Sequence, residues 1–130
     1  MNQNIVNQYK ISFQNRVDDL GNFGKEINKI INTNNEPLTN FLICWTSISE
    51  INESLLPDIN EALTHPNVEV NSDSPPVDIV MSDNLVDFYG YEGYINSIPL
   101  QDLKEIVIAW RDFLNTPPLN GTTVDYFKSQ

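Results

Sequence analysis

From Leu100 to Leu114 apolar side chains return every three or four residues: Leu100, Leu103, Val107, Trp110 and Leu114 form one stripe, widened by Ile106 and Phe113. That period belongs to a helix, and so wide a stripe has to be buried against another layer. Pro99 suits a first helical turn, Asp102 lies near the positive end of the helix dipole, and Asn115-Thr116-Pro117-Pro118 stops the element. Just upstream the period changes to two. Val77, Ile79 and Met81 point one way, Asp83-Asn84 punctuates, and Val86 and Phe88 resume the alternation, which predicts a β-hairpin. Together they select an α+β fold, a small, mainly antiparallel sheet with helices packed on one face. At 130 residues the chain fits one domain, residues 1–130.

The rest of the chain is read more coarsely. Val6, Tyr9, Phe13, Val17 and Leu20 fit a helical face, while Tyr9, Ile11 and Phe13 alternate as in a strand, and both readings stay open. Phe23, Ile27, Ile30 and Ile31 follow a helical period that the stretch from Asn32 to Pro37 ends. Between Leu38 and Ile48 the spacing allows a helix, but the β-branched and aromatic composition favours a buried strand. Leu55, Ile59, Ala62 and Leu63 trace a helix ending near His65-Pro66; Pro57 belongs in a first turn, so its start is expected close to Ser54. Val68 and Val70 suggest a short strand, Asn71 to Pro76 a turn-rich break, and Gly90 and Gly93 flank Tyr91 and Glu92 in a loop or bulge. After the Asn120-Gly121 turn signal, Val124, Tyr126 and Phe127 are expected to pack back on the core.

Charge narrows the function. Residues 30 to 103 hold no lysine or arginine but contain Glu36, Glu50, Glu53, Asp58, Glu61, Glu69, Asp73, Asp78, Asp83, Asp87, Glu92 and Asp102. Such a segment projects a negative field that a cationic partner could neutralise; used only for solubility, the same charge would mark an acidic adaptor subunit. A net charge of -11 argues against nucleic acid and against an anionic membrane surface as partners. No run reaches the length of a membrane span, and the first residues lack a basic patch followed by an apolar stretch. The cytoplasm is the expected address.

Chemistry-bearing motifs give little. Cys44 is the only cysteine, so no intramolecular disulfide can form, and its apolar run predicts a small buried residue. His65 is the only histidine and is expected at a helix end, where an imidazole can meet exposed carbonyls. One His and one Cys do not make a zinc site, the EF-hand pattern does not occur, and no metal or cofactor is expected. Gly21-Asn22-Phe23-Gly24 lacks the Gly-Lys-Ser/Thr ending of a phosphate cradle, and no Gly-x-Ser-x-Gly elbow occurs. A carboxylate-based enzyme or ligand-binding domain would need two acids converging in an apolar cleft, which no local pattern specifies.

One cluster stands out. Phe88, Tyr89, Tyr91 and Tyr94 interleave with Asp87 and Glu92. On a strand Phe88 would face the core, with Tyr89 and Tyr91 on the other face. Tyrosines set among acids suit a protein interface. Asp83, Asp87, Tyr89, Tyr91 and Glu92 are the candidate partner-binding residues, with no catalytic residue among them.

The hairpin, Ile98-Pro99-Leu100, Trp110 and Phe113-Leu114 together resemble a layout found in immunity proteins of bacterial polymorphic toxin and contact-dependent inhibition systems. The resemblance spans Val77 to Leu114. It implies a small cytoplasmic, non-enzymatic inhibitor that binds a cognate toxin, often a basic nuclease, and blocks its active site.

Overall fold

The computed structural model describes residues 1–124, so Tyr126 and Phe127 lie outside the described residues. In chain order come α1 (Gln3–Tyr9), β1 (Ser12–Asp19), β2 (Lys25–Asn32), α2 (Glu36–Ile43), α3 (Ile48–Glu50), a π-helical turn (Ile51–Leu55) and α4 (Leu56–Thr64). Then follow β3 (Val70–Ser74), β4 (Val77–Ser82), β5 (Leu85–Gly90), β6 (Gly93–Pro99), α5 (Leu100–Leu114) and β7 (Thr122–Val124). The α+β class holds. The strands, however, form two antiparallel sheets, β1-β2-β7 and β3-β4-β5-β6, where one was expected.

The second half follows its sequence pattern closely. Asp83 and Asn84 carry φ of 53° and 63°, the left-handed pair that a two-residue hairpin turn requires, and β4 pairs with β5 from Asp78↔Tyr89 to Ser82↔Leu85. Val77, Ile79, Met81, Val86 and Phe88 are buried beneath α2, α4 and α5. Pro99 caps α5, whose Leu100, Leu103, Ile106, Val107 and Trp110 are fully enclosed. Each such side chain contributes about 1.5–3 kcal/mol on burial. The Trp110 indole N–H donates to the Trp45 carbonyl at 2.7 Å, tying α5 to the segment after α2.

Five expectations fail, each for an identifiable reason. Residues 25–32 form β2, not a helix: Val17↔Ile27, Asn15↔Lys29 and Phe13↔Ile31 pair across to β1. Lys29 occupies an inward position of that strand and hid the alternation. It is only 3 % exposed, its Nζ donating to Asn15 Oδ1 at 2.7 Å and Thr116 Oγ1 at 3.1 Å, 4.1 Å from the Phe113 ring centre.

Residues 36–43 are helical, not a strand. Asn35 Oδ1 accepts from the Leu38 N–H at 3.2 Å, Pro37 sits in the first turn, and Leu38, Phe41 and Leu42 are buried on one side. Cys44 caps the helix C-terminus and is exposed, not buried.

The following helical segment starts earlier than Ser54, at a Ser47 cap whose Oγ accepts from the Glu50 N–H at 3.3 Å. The π-helical turn, in which Leu56 N–H bonds back to Ile51, shifts the ladder one residue ahead of Pro57 and lets the proline sit inside the segment. His65 caps its end, as the sequence suggested.

Residues 71–74 form most of β3 where a break was expected. Ser72 and Ser74 take the inward positions, Ser74 Oγ donating to the Phe41 carbonyl at 3.4 Å, so polar residues disguised the strand.

Candidate docking face

Among the described residues, the four-stranded sheet carries its helices on one side only. Its other face is built by the outward residues of β4, β5 and β6: Asp78 and Val80, then Asp87 and Tyr89, then Tyr94 and Ser97. Register fixes the neighbours. Tyr89 lies opposite Tyr94 with ring centres 5.8 Å apart in an edge-to-face arrangement, and Asp87 lies opposite Ser97. Ser97 Oγ donates to Asp87 Oδ1 at 2.5 Å and is 2.7 Å from the Tyr94 hydroxyl. The chain Tyr94–Ser97–Asp87 thus fixes an aromatic edge beside a carboxylate. A shallow hollow of about 290 Å³ lies next to it, bordered by Asn71, Asp78, Val80 and Tyr89.

Gly90 pairs with Gly93, so Tyr91 and Glu92 are the two residues of a tight turn between β5 and β6. The expectation of Tyr91 on the strand face is therefore corrected. Tyr91 projects from the hairpin tip, 92 % exposed, above Tyr94 and Ile95, which are 59 % and 48 % exposed. These residues border an open hollow of about 640 Å³.

Of the five candidate residues, Asp87 and Tyr89 share the sheet face, and Tyr91 and Glu92 lie at one end of it. Asp83 is separated from them. It occupies the turn at the opposite end of β5, four residues from Asp87 and six from Tyr89 along the strand, roughly 13 and 20 Å.

The acids divide in the same way. Glu50, Glu53 and Glu61 are exposed on the helical segment 48–64, away from the open face. There burial, and then the charge of Glu61, pushes the Asp58 carboxyl above its ordinary range. Asp102 accepts from the Tyr9 hydroxyl at 2.6 Å. The segment 70–99 that builds the four-stranded sheet contains no lysine or arginine, whereas Arg16, Lys25 and Lys29 all belong to the three-stranded sheet. Charge is thus unequally shared between the two sheets.

The alternation of β4 already put Asp78 on its less apolar side, but the sequence did not mark Ser97 as a member of this face, and Tyr94 only as part of an aromatic cluster. The available signal was the spacing of Gly90 and Gly93: a two-residue turn between them places Tyr94 beside Tyr89. The extra residue in β6, Ile95, then brings Ser97 opposite Asp87. Among the described residues no group of three His, Cys, Asp or Glu side chains is arranged to hold a metal ion, and no helix is long and apolar enough to cross a membrane. No family model, curated protein or solved structure matches this chain.

Proposed function

We propose that this protein is a non-enzymatic inhibitor, an immunity-type protein that binds and neutralises a cognate basic toxin of the nuclease kind in the cytoplasm. The observation that supports it is a sheet face that no described residue covers and whose strands carry no lysine or arginine, on which Asp78 and Asp87 are set among Tyr89 and Tyr94 with Tyr91 and Glu92 at its rim. Complementary charge raises the encounter rate with a basic partner and disfavours anionic competitors. A carboxylate-rich face also suits a groove built for phosphates. Tyrosines add contact area at little entropic cost, since each has few rotatable bonds and a polar tip.

The test is co-expression with the product of the gene adjacent to this chain's own, whatever its sequence, followed by co-purification at increasing ionic strength. The reading expects a complex that salt weakens, and that neutralising Asp87 and Glu92 weakens more than neutralising Asp83 at the far end of β5. Retention that ignores both salt and these substitutions rejects it.

A further inference from the structure

Among the described residues, β6 is the terminal strand of its sheet, and one side of its backbone has no partner strand. The phase of the β5–β6 ladder determines which groups are free. The Leu100 N–H donates to the Asn84 carbonyl at 2.9 Å, so in this register Ile98 and Asn96 exchange main-chain bonds with Val86 and Phe88. Ser97 is then a non-bonded position, in keeping with its short side-chain contact to Asp87, and its own N–H and C=O point away from β5. Pro99, the next outward residue, has no N–H to satisfy, as suits an edge.

That edge is one wall of a cleft of about 360 Å³, formed by residues 96–99 on one side and by Gln8, Tyr9, Asn34 and Asn35 on the other. The opposite wall is held in place by polar ties. Asn34 Nδ2 donates to the Gln8 carbonyl at 3.0 Å, and Asn35 Oδ1 accepts from Asn96 Nδ2 at 3.3 Å while capping α2. Asn96 Oδ1 has no hydrogen-bond partner among the described residues, but it is closed off from solvent and belongs to the wall. Unmet main-chain groups along an edge, with side-chain amides facing them, are what an extended backbone would satisfy.

We infer that the cleft receives an extended peptide segment of a partner protein, which adds to β6 as a fifth strand and carries lysine or arginine. The charge of the occupant follows from what stands behind the lining, whose own side chains are uncharged. Asp87 is bonded to Ser97 and Asp102 to Tyr9, so a carboxylate stands behind each wall, and no lysine or arginine lines the cleft among the described residues. A second copy of this chain is disfavoured as the occupant by its net charge of -11. This site adjoins the open sheet face, sharing Ser97 with it, and does not depend on the toxin reading.

The probe is a random octapeptide library displayed on phage, selected on the whole protein at low salt; recovered sequences are synthesised, labelled and titrated by fluorescence anisotropy. The expected peptides carry Lys or Arg, slow hydrogen exchange at the Ser97 amide, and lose about tenfold or more in affinity against Ser97→Pro, which deletes the outward donor. Because Ser97→Pro could disturb β6, Gln8→Trp, which fills the cleft from an exposed helix position, serves as a second block and is expected to lose affinity likewise. Failure to enrich any peptide overturns the proposal, as do peptides that bind both variants as well as the parent or leave Ser97 exchange unchanged. A dimer in sedimentation that Ser97→Pro dissolves would replace the peptide by a second copy and equally overturn it.

Discussion

Asp87 and Ser97 face each other across the β5–β6 pair, with the Ser97 hydroxyl donating to the carboxylate at 2.5 Å. The acid at the centre of the open face is therefore held in one orientation before any partner arrives. Asp87→Asn keeps an acceptor for Ser97, so its unfolding free energy should stay within about 0.5 kcal/mol of the parent, whereas Asp87→Ala should lose about 1 kcal/mol. Urea unfolding measures both. If the face docks a cationic partner, Asp87→Asn weakens binding despite its unchanged stability.

Tyr91 and Glu92 offer a cleaner separation of fold from function. Tyr91 is 92 % exposed at the tip of a hairpin, so Tyr91→Ser should shift stability by no more than about 0.5 kcal/mol. Partner affinity should nevertheless fall, since exposed aromatic residues at a rim become buried anchors on docking. Thermal unfolding and binding titration of the same preparation check the two halves.

Trp110 tests the core. Trp110→Ala removes a fully buried ring and should cost about 3–5 kcal/mol, a large share of the stability of a domain whose total is about 5–15 kcal/mol. Trp110→Phe retains most of the volume but leaves the Trp45 carbonyl without the indole donor, and about 1–3 kcal/mol is expected on denaturant unfolding.

Lys29 gives stability a particular pH dependence. Burial lowers its pKa from the ordinary 10.5, so the unfolded chain binds this proton more tightly than the folded one. Its contribution to stability therefore rises with pH across the interval below 10.5 and levels off above it. Lys29→Met should abolish that rise. The difference in unfolding free energy between parent and Lys29→Met, followed from neutral to about pH 10, should increase in the parent's favour.

How much was legible depended on which residues occupied the inward positions. Val77 to Leu114 could be read because its inward residues are apolar and its turns carry their own signals, Asp83-Asn84 at left-handed φ and Pro99 at the helix start. Residues 25–32 and 71–74 could not, because Lys29, Ser72 and Ser74 stand where an apolar residue would have shown the alternation. Local propensity misled at 38–43, where Asn35 and Pro37 start a helix that β-branched and aromatic composition argued against. Of the site, the residues of β5 were found and their cross-strand partner Ser97 was not. The acidic interval, read as one surface, is divided by the fold between the sheet face and the helical segment 48–64.

The central claim is that the open face of the four-stranded sheet docks a basic protein. It is tested most directly by titrating the partner recovered in that co-purification with the parent and with the combined Asp87→Asn, Tyr91→Ser, Glu92→Gln variant at low and high salt. The account predicts a loss of about tenfold or more in affinity for the variant at low salt, with a shallower salt dependence. Equal affinity and equal salt dependence for the two proteins would contradict it.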